Sequence, residues 1–190
     1  LVGGQDVRSI PAAELMEQIS FVFQEVHLFK KSIRDNIRAA RPNATEEEIL
    51  QAAHLAQCGD ILEKIPGGLD AVIGAKGVYL SGGEMQRIAL ARAILKDAPI
   101  VVLDEASSFA DPENEVKIQK AFEVLMKGKT VLMIAHRLST VRRMDRILVI
   151  KKGVVVEEGK HDELIEKGGV YASMWEEYQS AAQWKVGGEA

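Results

Sequence analysis

Four short apolar runs punctuate this chain, and helical patterns lie between them. Ile19-Ser20-Phe21-Val22-Phe23 is the first; residues 100–103, 130–135 and 146–150 follow. Strands alternating with helices specify an α/β layer fold. The second and third runs are continuous and β-rich, the pattern of strands covered on both faces of a parallel sheet. Residues 154–158, after the turn Lys151-Lys152-Gly153, read as a hairpin partner for the fourth run.

Three of the runs end on polar side chains. Gln24 follows the first, Asp104 and Glu105 the second, His136 the third. Open parallel sheets bind ligands beyond the carboxyl ends of their strands. Parallel neighbours would therefore bring Gln24, Asp104, Glu105 and His136 to one site. A strand-end carboxylate such as Asp104 suits Mg²⁺, mostly through water. Glu105 can orient or deprotonate an attacking water. His136 can contact a γ-phosphate, and Gln24 can touch metal or water and report occupancy. The set points to nucleotide hydrolysis with a divalent metal, which is mostly positioning and charge stabilisation.

A second signal lies upstream, in Leu80-Ser81-Gly82-Gly83-Glu84-Met85-Gln86-Arg87. A serine and two glycines open a helix there, leaving bare N–H groups at its positive end, a place for phosphate. Other helix signals surround it. Thr45-Glu46-Glu47-Glu48 is a capping box, followed by Ile49, Ala52, Ala53 and Ala56 on one face. Asp60 is expected to cap a short helix through Ile65, broken by Pro66-Gly67-Gly68. Asp111-Pro112 sets N-cap and N1 of another helix. A last helix is expected over 170–183, with Trp175 and Tyr178 packing it on the core, and residues 185–190 read as a flexible tail.

With 190 residues, the chain can bury one sizeable core. A net charge of −4 argues against a nucleic-acid partner, whose footprint is normally basic. Arg137, Arg142, Arg143, Lys151 and Lys152 read as a solvated face. His27, His54 and His161 lack metal-ligand spacing and read as surface residues. The single Cys58 reads as a buried, unreactive thiol in a reducing compartment. No apolar run reaches the roughly 20 residues needed to cross a bilayer. Leu1 opens mid-strand without an initiator Met, so the chain reads as a C-terminal piece of something longer.

These residues resemble the nucleotide-binding domain of ATP-binding cassette (ABC) transporters of the exporter type. Leu80 to Arg87 resembles the signature motif, and Ile88-Ala89-Leu90-Ala91-Arg92-Ala93 continues in the family manner. Residues 100–105 are similar to the Walker B strand with its glutamate. Ser108-Phe109-Ala110-Asp111 occupies the D-loop position, His136-Arg137-Leu138-Ser139-Thr140 resembles the H-loop, and Phe21-Val22-Phe23-Gln24 the Q-loop. Leu28-Phe29 and Ser32-Ile33-Arg34-Asp35-Asn36-Ile37 are typical of exporters. Three departures stand out. No Gly-x-x-x-x-Gly-Lys-Ser/Thr occurs, so the Walker A part of the domain is missing. Phe109-Ala110 replaces the usual Ala-Leu, and Val72 sits where a glutamate is common.

The resemblance implies a partial P-loop NTPase core: an α/β parallel sheet in 1–25 and 97–184, with an inserted helical subdomain over about 26–96. It implies ATP and Mg²⁺, with Glu105, His136 and Gln24 catalytic and Asp104 and Gln24 at the metal. Ser81, Gly82, Gly83 and Asp111 would bind nucleotide, the signature residues serving that of a partner. The implied partners are a second nucleotide-binding domain, met head to tail, and a transmembrane domain at the cytoplasmic face of the cell membrane. This chain alone would then be inactive. The rival expectations are a soluble ABC-type ATPase, or a non-catalytic module that dimerises with an active partner.

Overall fold

The structure, a computed structural model, describes residues 1–74, 77–104, 112–135 and 138–187. The chain divides into two compact units, 1–134 and 135–190. In the first, Val2 and Gln5 close a two-residue turn through Gly3 and Gly4, whose φ values of 56° and 83° suit a tight hairpin turn. Leu1 therefore precedes a turn and does not lie within a strand.

The first unit contains helices α1 (Ala12–Glu17), α2 (Ile33–Arg38), α3 (Glu46–Leu55), α4 (Gly59–Lys64), α5 (Gly82–Lys96) and α6 (Pro112–Met126). Strands β1 (Ile19–Val22), β2 (Ile100–Asp104) and β3 (Thr130–Ile134) form one sheet in that order, all parallel. The mixed α/β architecture read from the runs is present. One expectation is corrected: β2 and β3 are not covered on both faces. Val101 and Leu103 are buried with α5 and α6, whereas Leu132 and Ile134 are more than half exposed. Phe21 and Phe23 are exposed too, with rings stacked 5.7 Å apart. Among the described residues, the helices of this unit seal one side of the sheet only.

The capping box at Thr45 forms as expected: Thr45 Oγ1 accepts from Glu48 N–H, and the Glu48 carboxylate accepts from Thr45 N–H. Ile49, Ala52, Ala53 and Ala56 are buried beneath it. At α4 the expected cap is wrong. The N-cap is Cys58, whose side chain makes no capping bond, and Asp60 lies inside the helix. Asp60 turns outward because its carboxylate has a stronger use, an ion pair with Arg87 on α5.

Helix α5 is the pillar of the first unit. It packs on α2, α3, α6 and β1, and Ile88, Leu90 and Ala91 are fully buried. Its three later basic residues reach different neighbours. Arg87 meets α4 and α6. Arg92 donates to the Asn36 and His27 carbonyls and lies 5.4 Å from the Phe29 ring centre. Lys96 donates to the Met16 and Ile19 carbonyls, both at 2.6 Å.

The second unit contains α7 (Leu138–Val141), the antiparallel hairpin β4 (Ile147–Lys151) and β5 (Val154–Gly159), α8 (His161–Glu166) and α9 (Val170–Gly187). The hairpin read from the sequence is present. The last helix runs past Gln183 to Gly187, so Lys185 to Gly187 are helical and not a loose tail. Ala181, Ala182, Gln183 and Lys185 are good helix formers and carry it on. Its start is held by Glu157, whose carboxylate accepts from the N–H groups of Val170 and Tyr171. His161 is buried, contrary to the surface reading. Its Nδ1 lies 2.8 Å from the Tyr171 hydroxyl, and its ring stands edge-on to Trp175 at 4.6 Å. Trp175 packs in turn on Tyr178. His54 and His27 are exposed as expected, as are Arg142, Arg143, Lys151 and Lys152; Arg137 lies outside the described residues.

Burial pushes the Cys58 thiol up to about 12, so no thiolate forms near neutral pH. In the native protein Cys58 is therefore expected to resist a thiol-reactive dye and to label fully only on unfolding. Rapid native labelling would contradict this.

Candidate functional site

The parallel register puts two of the expected site residues on one edge. Val22 pairs with Leu103, and Asp104 pairs with Ile134. Gln24, two residues beyond β1, and Asp104, the last residue of β2, thus leave the sheet at the same end. Neighbouring strands lie about 4.8 Å apart. Gln24 is exposed and Asp104 half-buried, so both can be reached by a ligand. Glu105, Asp111 and His136 fall outside the described residues, as does Phe109-Ala110. Their sequence positions follow the carboxyl ends of β2 and β3.

At the other expected site, Ser81 caps α5. Its Oγ accepts from Glu84 N–H at 3.3 Å, and the Glu84 carboxylate accepts from Ser81 N–H at 2.7 Å. Gly82 and Gly83 occupy the first two helical positions, whose N–H groups have no partner within the helix. Ser81 and Gly82 are exposed, so the helix dipole faces solvent where a phosphate can enter. Glu84 places a negative charge beside this end. Burial alone would raise its pKa, but the Ser81 N–H and the Lys64 ammonium outweigh burial and hold it below its ordinary value. Lys64, 3.1 Å away, offsets that charge.

Behind the cap lies a polar clasp that local sequence patterns did not reveal. Arg87 is 1% exposed. Its Nη1 donates to Asp60 Oδ1 at 2.6 Å and to the Gln57 carbonyl. Its Nη2 donates to Asp60 Oδ2 at 3.2 Å and to Asn114 Oδ1 at 2.9 Å. Lys117 bonds the same aspartate at 2.9 Å and Glu113 at 2.7 Å. Gln57 adopts φ 60°, which turns the chain back at the end of α3. Burial would raise the Asp60 pKa, but the hydrogen bonds from Arg87 and Lys117 prevail and hold it at about 2. A helical reading could have found Arg87, since it shares the buried stripe of Gly83, Leu90 and Ala91. Its partners, about 30 residues away in either direction, carry no local signal.

The structure gives Gly83 a second reason to be glycine. A Cβ there would lie 3.0 Å from Cβ and Cγ of Asn114 on α6. The pair of helices approaches closely where the phosphate-ready end begins. A cleft of about 360 Å³ lies elsewhere, between α3 and the ends of α5 and α6, and none of the expected nucleotide residues lines it. Four of its charged groups are ion-paired, Arg41 with Glu48 and Lys129 with Asp97.

Comparison with known proteins establishes the family. The family model for ABC transporters matches residues 1–108, more than half of the chain. This chain belongs to the ABC transporter family. An ABC transporter ATP-binding protein of Haemophilus influenzae is 48% identical over 92% of this chain and 29% of its own length. ATP-dependent lipid A-core flippases of Syntrophus aciditrophicus and Escherichia coli are each 48% identical, over 90% and 92% of this chain and 28% and 30% of theirs. The chain thus spans under a third of the length of these relatives. Family membership brings the P-loop NTPase fold to which the parallel sheet belongs. Among the described residues, no helix is long and apolar enough to cross a membrane, and no three His, Cys, Asp or Glu residues cluster for a metal. Asp104 and Gln24 still fit Mg²⁺. That ion commonly takes one or two protein oxygens and completes its shell with water and substrate phosphates.

Two outcomes follow. Gly83→Ala is expected to destabilise the protein by about 1 kcal/mol, read from the denaturant midpoint. Crowding against Asn114 costs about 1–3 kcal/mol and exceeds the small helix-propensity gain at this end position. Asp60 has a depressed folded pKa, so its contribution is fully present above its ordinary value of 3.8 and is lost as pH falls through about 2. Asp60 is 46% exposed, so screening limits the effect to about 1 kcal/mol. Asp60→Asn should lower stability at pH 7 by that amount, with the gap closing as unfolding is followed down to pH 2.

Proposed function

We propose that this chain hydrolyses ATP within an exporter, as one of two domains that meet head to tail. The observation that carries the proposal is the parallel β1–β2–β3 register, which sends Gln24 and Asp104 out of the same edge of the sheet. The exposed, serine-capped start of α5 supports it as a separate anion-ready surface. The relatives named ATP-dependent flippases support export at a membrane, with this domain on its cytoplasmic face.

In this proposal the α/β core comprises 1–25 and 97–184, and the helices of about 26–96 form an inserted lobe. Glu105 accepts a proton from the attacking water. His136 donates to the γ-phosphate and responds to its loss. Asp104 and Gln24 would hold Mg²⁺, which supplies charge neutralisation on the phosphates when bound. Gln24 reports occupancy to the lobe that follows it. Ser81, Gly82 and Gly83 bind the γ-phosphate of the partner's nucleotide through hydroxyl and backbone N–H groups, and Asp111 contributes to nucleotide binding. Loss of that phosphate removes the bridging charge and lets the halves part. A transmembrane domain converts this motion into transport. The sequence contains no Gly-x-x-x-x-Gly-Lys-Ser/Thr, so this chain by itself is proposed to be inactive.

The test is Glu105→Gln in the transporter that carries this chain. ATP binding should persist while turnover falls about 100-fold or more, the scale of a lost general base. An unchanged kcat would exclude Glu105 as the base.

A further inference from the structure

The start of α5 meets two demands of the same sign. An anion is favoured there by the helix dipole and by the N–H groups of Gly82 and Gly83, which have no partner within the helix. Yet the Glu84 carboxylate already stands at that end. Its Oε2 accepts from Ser81 N–H at 2.7 Å, and its side chain is only 11% exposed. Water screens a carboxylate so enclosed poorly. The bonds from Ser81 and Lys64 outweigh burial and keep it ionised near neutral pH. Left alone, that charge would repel a phosphate arriving beside Ser81.

Lys64 answers it. Its Nζ lies 3.1 Å from Glu84 Oε1, the oxygen that the Ser81 N–H does not use. Lys64 is the last residue of α4, and its side chain is 73% exposed. An ion pair with one arm in solvent contributes little to stability. Nor is it needed to fasten α4 to α5, since Asp60 already grips Arg87 with both carboxylate oxygens. Among the described residues, Glu84 is the only side chain that Lys64 bonds. What the pair does control is the charge that a ligand at Ser81 meets.

We infer that Lys64 is a positioning residue for the partner's nucleotide: by holding and neutralising the Glu84 carboxylate, it sets the affinity of the Ser81–Gly83 surface for phosphate. It acts through Glu84 and not by touching the phosphate. This inference rests on the proposed ATPase reading and adds to it a residue outside the signature motif.

Lys64→Ala, Lys64→Arg and the double variant Lys64→Ala with Glu84→Gln are made in the full transporter. Glutamine keeps an oxygen for the Ser81 N–H and loses the charge. The kcat and KM for ATP are measured at low and high ionic strength, beside the melting temperature. For Lys64→Ala at low salt, KM should rise about fivefold, the scale of one uncompensated charge at a helix end. The rise should shrink below about twofold near 1 M salt, where the screening length falls to about 3 Å. The kcat should stay within about twofold and the melting temperature within about 3 °C. Lys64→Arg restores the cation and should recover most of the lost affinity. The double variant should return KM to within about twofold of wild type, because the charge that needed an answer is gone. Wild-type KM in Lys64→Ala at low salt would overturn the inference. So would a raised KM that persists in the double variant, or one that follows the melting temperature and ignores salt. A wild-type transporter without ATPase activity would overturn the proposed function as well, which separates the two failures.

Discussion

The first unit is organised around the burial of one guanidinium. A charge taken out of water costs several kcal/mol unless its partners match it closely. The two terminal nitrogens of Arg87 are matched by the Asp60 carboxylate, the Gln57 carbonyl and the Asn114 amide oxygen. The planar fork of arginine grips the carboxylate with two nitrogens while its other N–H groups reach the carbonyl and the amide, a fixed bidentate geometry that lysine lacks. Because those directions are fixed, so are α4, the end of α3 and the start of α6 around α5. A greasy side chain in the same place could fill the volume but could not set the angles.

What the sequence disclosed here was what lies within a few residues. The capping boxes at Thr45 and Ser81 bond over three positions, and their residue types announce them. The strand runs and the β4–β5 hairpin were visible for the same reason, and so were the polar residues at strand ends. What escaped was set by distance along the chain. Asp60 has the composition of a helix cap, yet a guanidinium 27 residues away claims its carboxylate. His161 has no spacing that marks it, yet Tyr171 and Trp175 on the following helix close over it. The apolar character of β3 indicated burial on both faces, but side chains alternate across a strand and this unit packs helices on only one side.

The two glycines of the signature illustrate how a motif can hide a second constraint. Read locally, they leave backbone N–H groups open to an anion. Read in three dimensions, Gly83 also leaves room for the Asn114 side chain of α6 against α5. Glu84 has a similar double setting. It completes the helix cap and, paired with Lys64, ties the signature to α4 without leaving a bare negative charge beside the phosphate-ready end.

Helix α5 spans about 22 Å from its serine cap to Lys96, at 1.5 Å per residue. It is fastened to neighbours near its start, middle and far end: the Asn114 contact, the Arg92 bonds to the carbonyls of Asn36 and His27, and the Lys96 bonds at the corner where β1 begins. A rod clamped at intervals resists flexing and tilts as a body. A push delivered near Asn36 is therefore expected to reach Ser81 as a change of angle, not as a local dent, and the serine hydroxyl then moves sideways in proportion to its distance from the pivot.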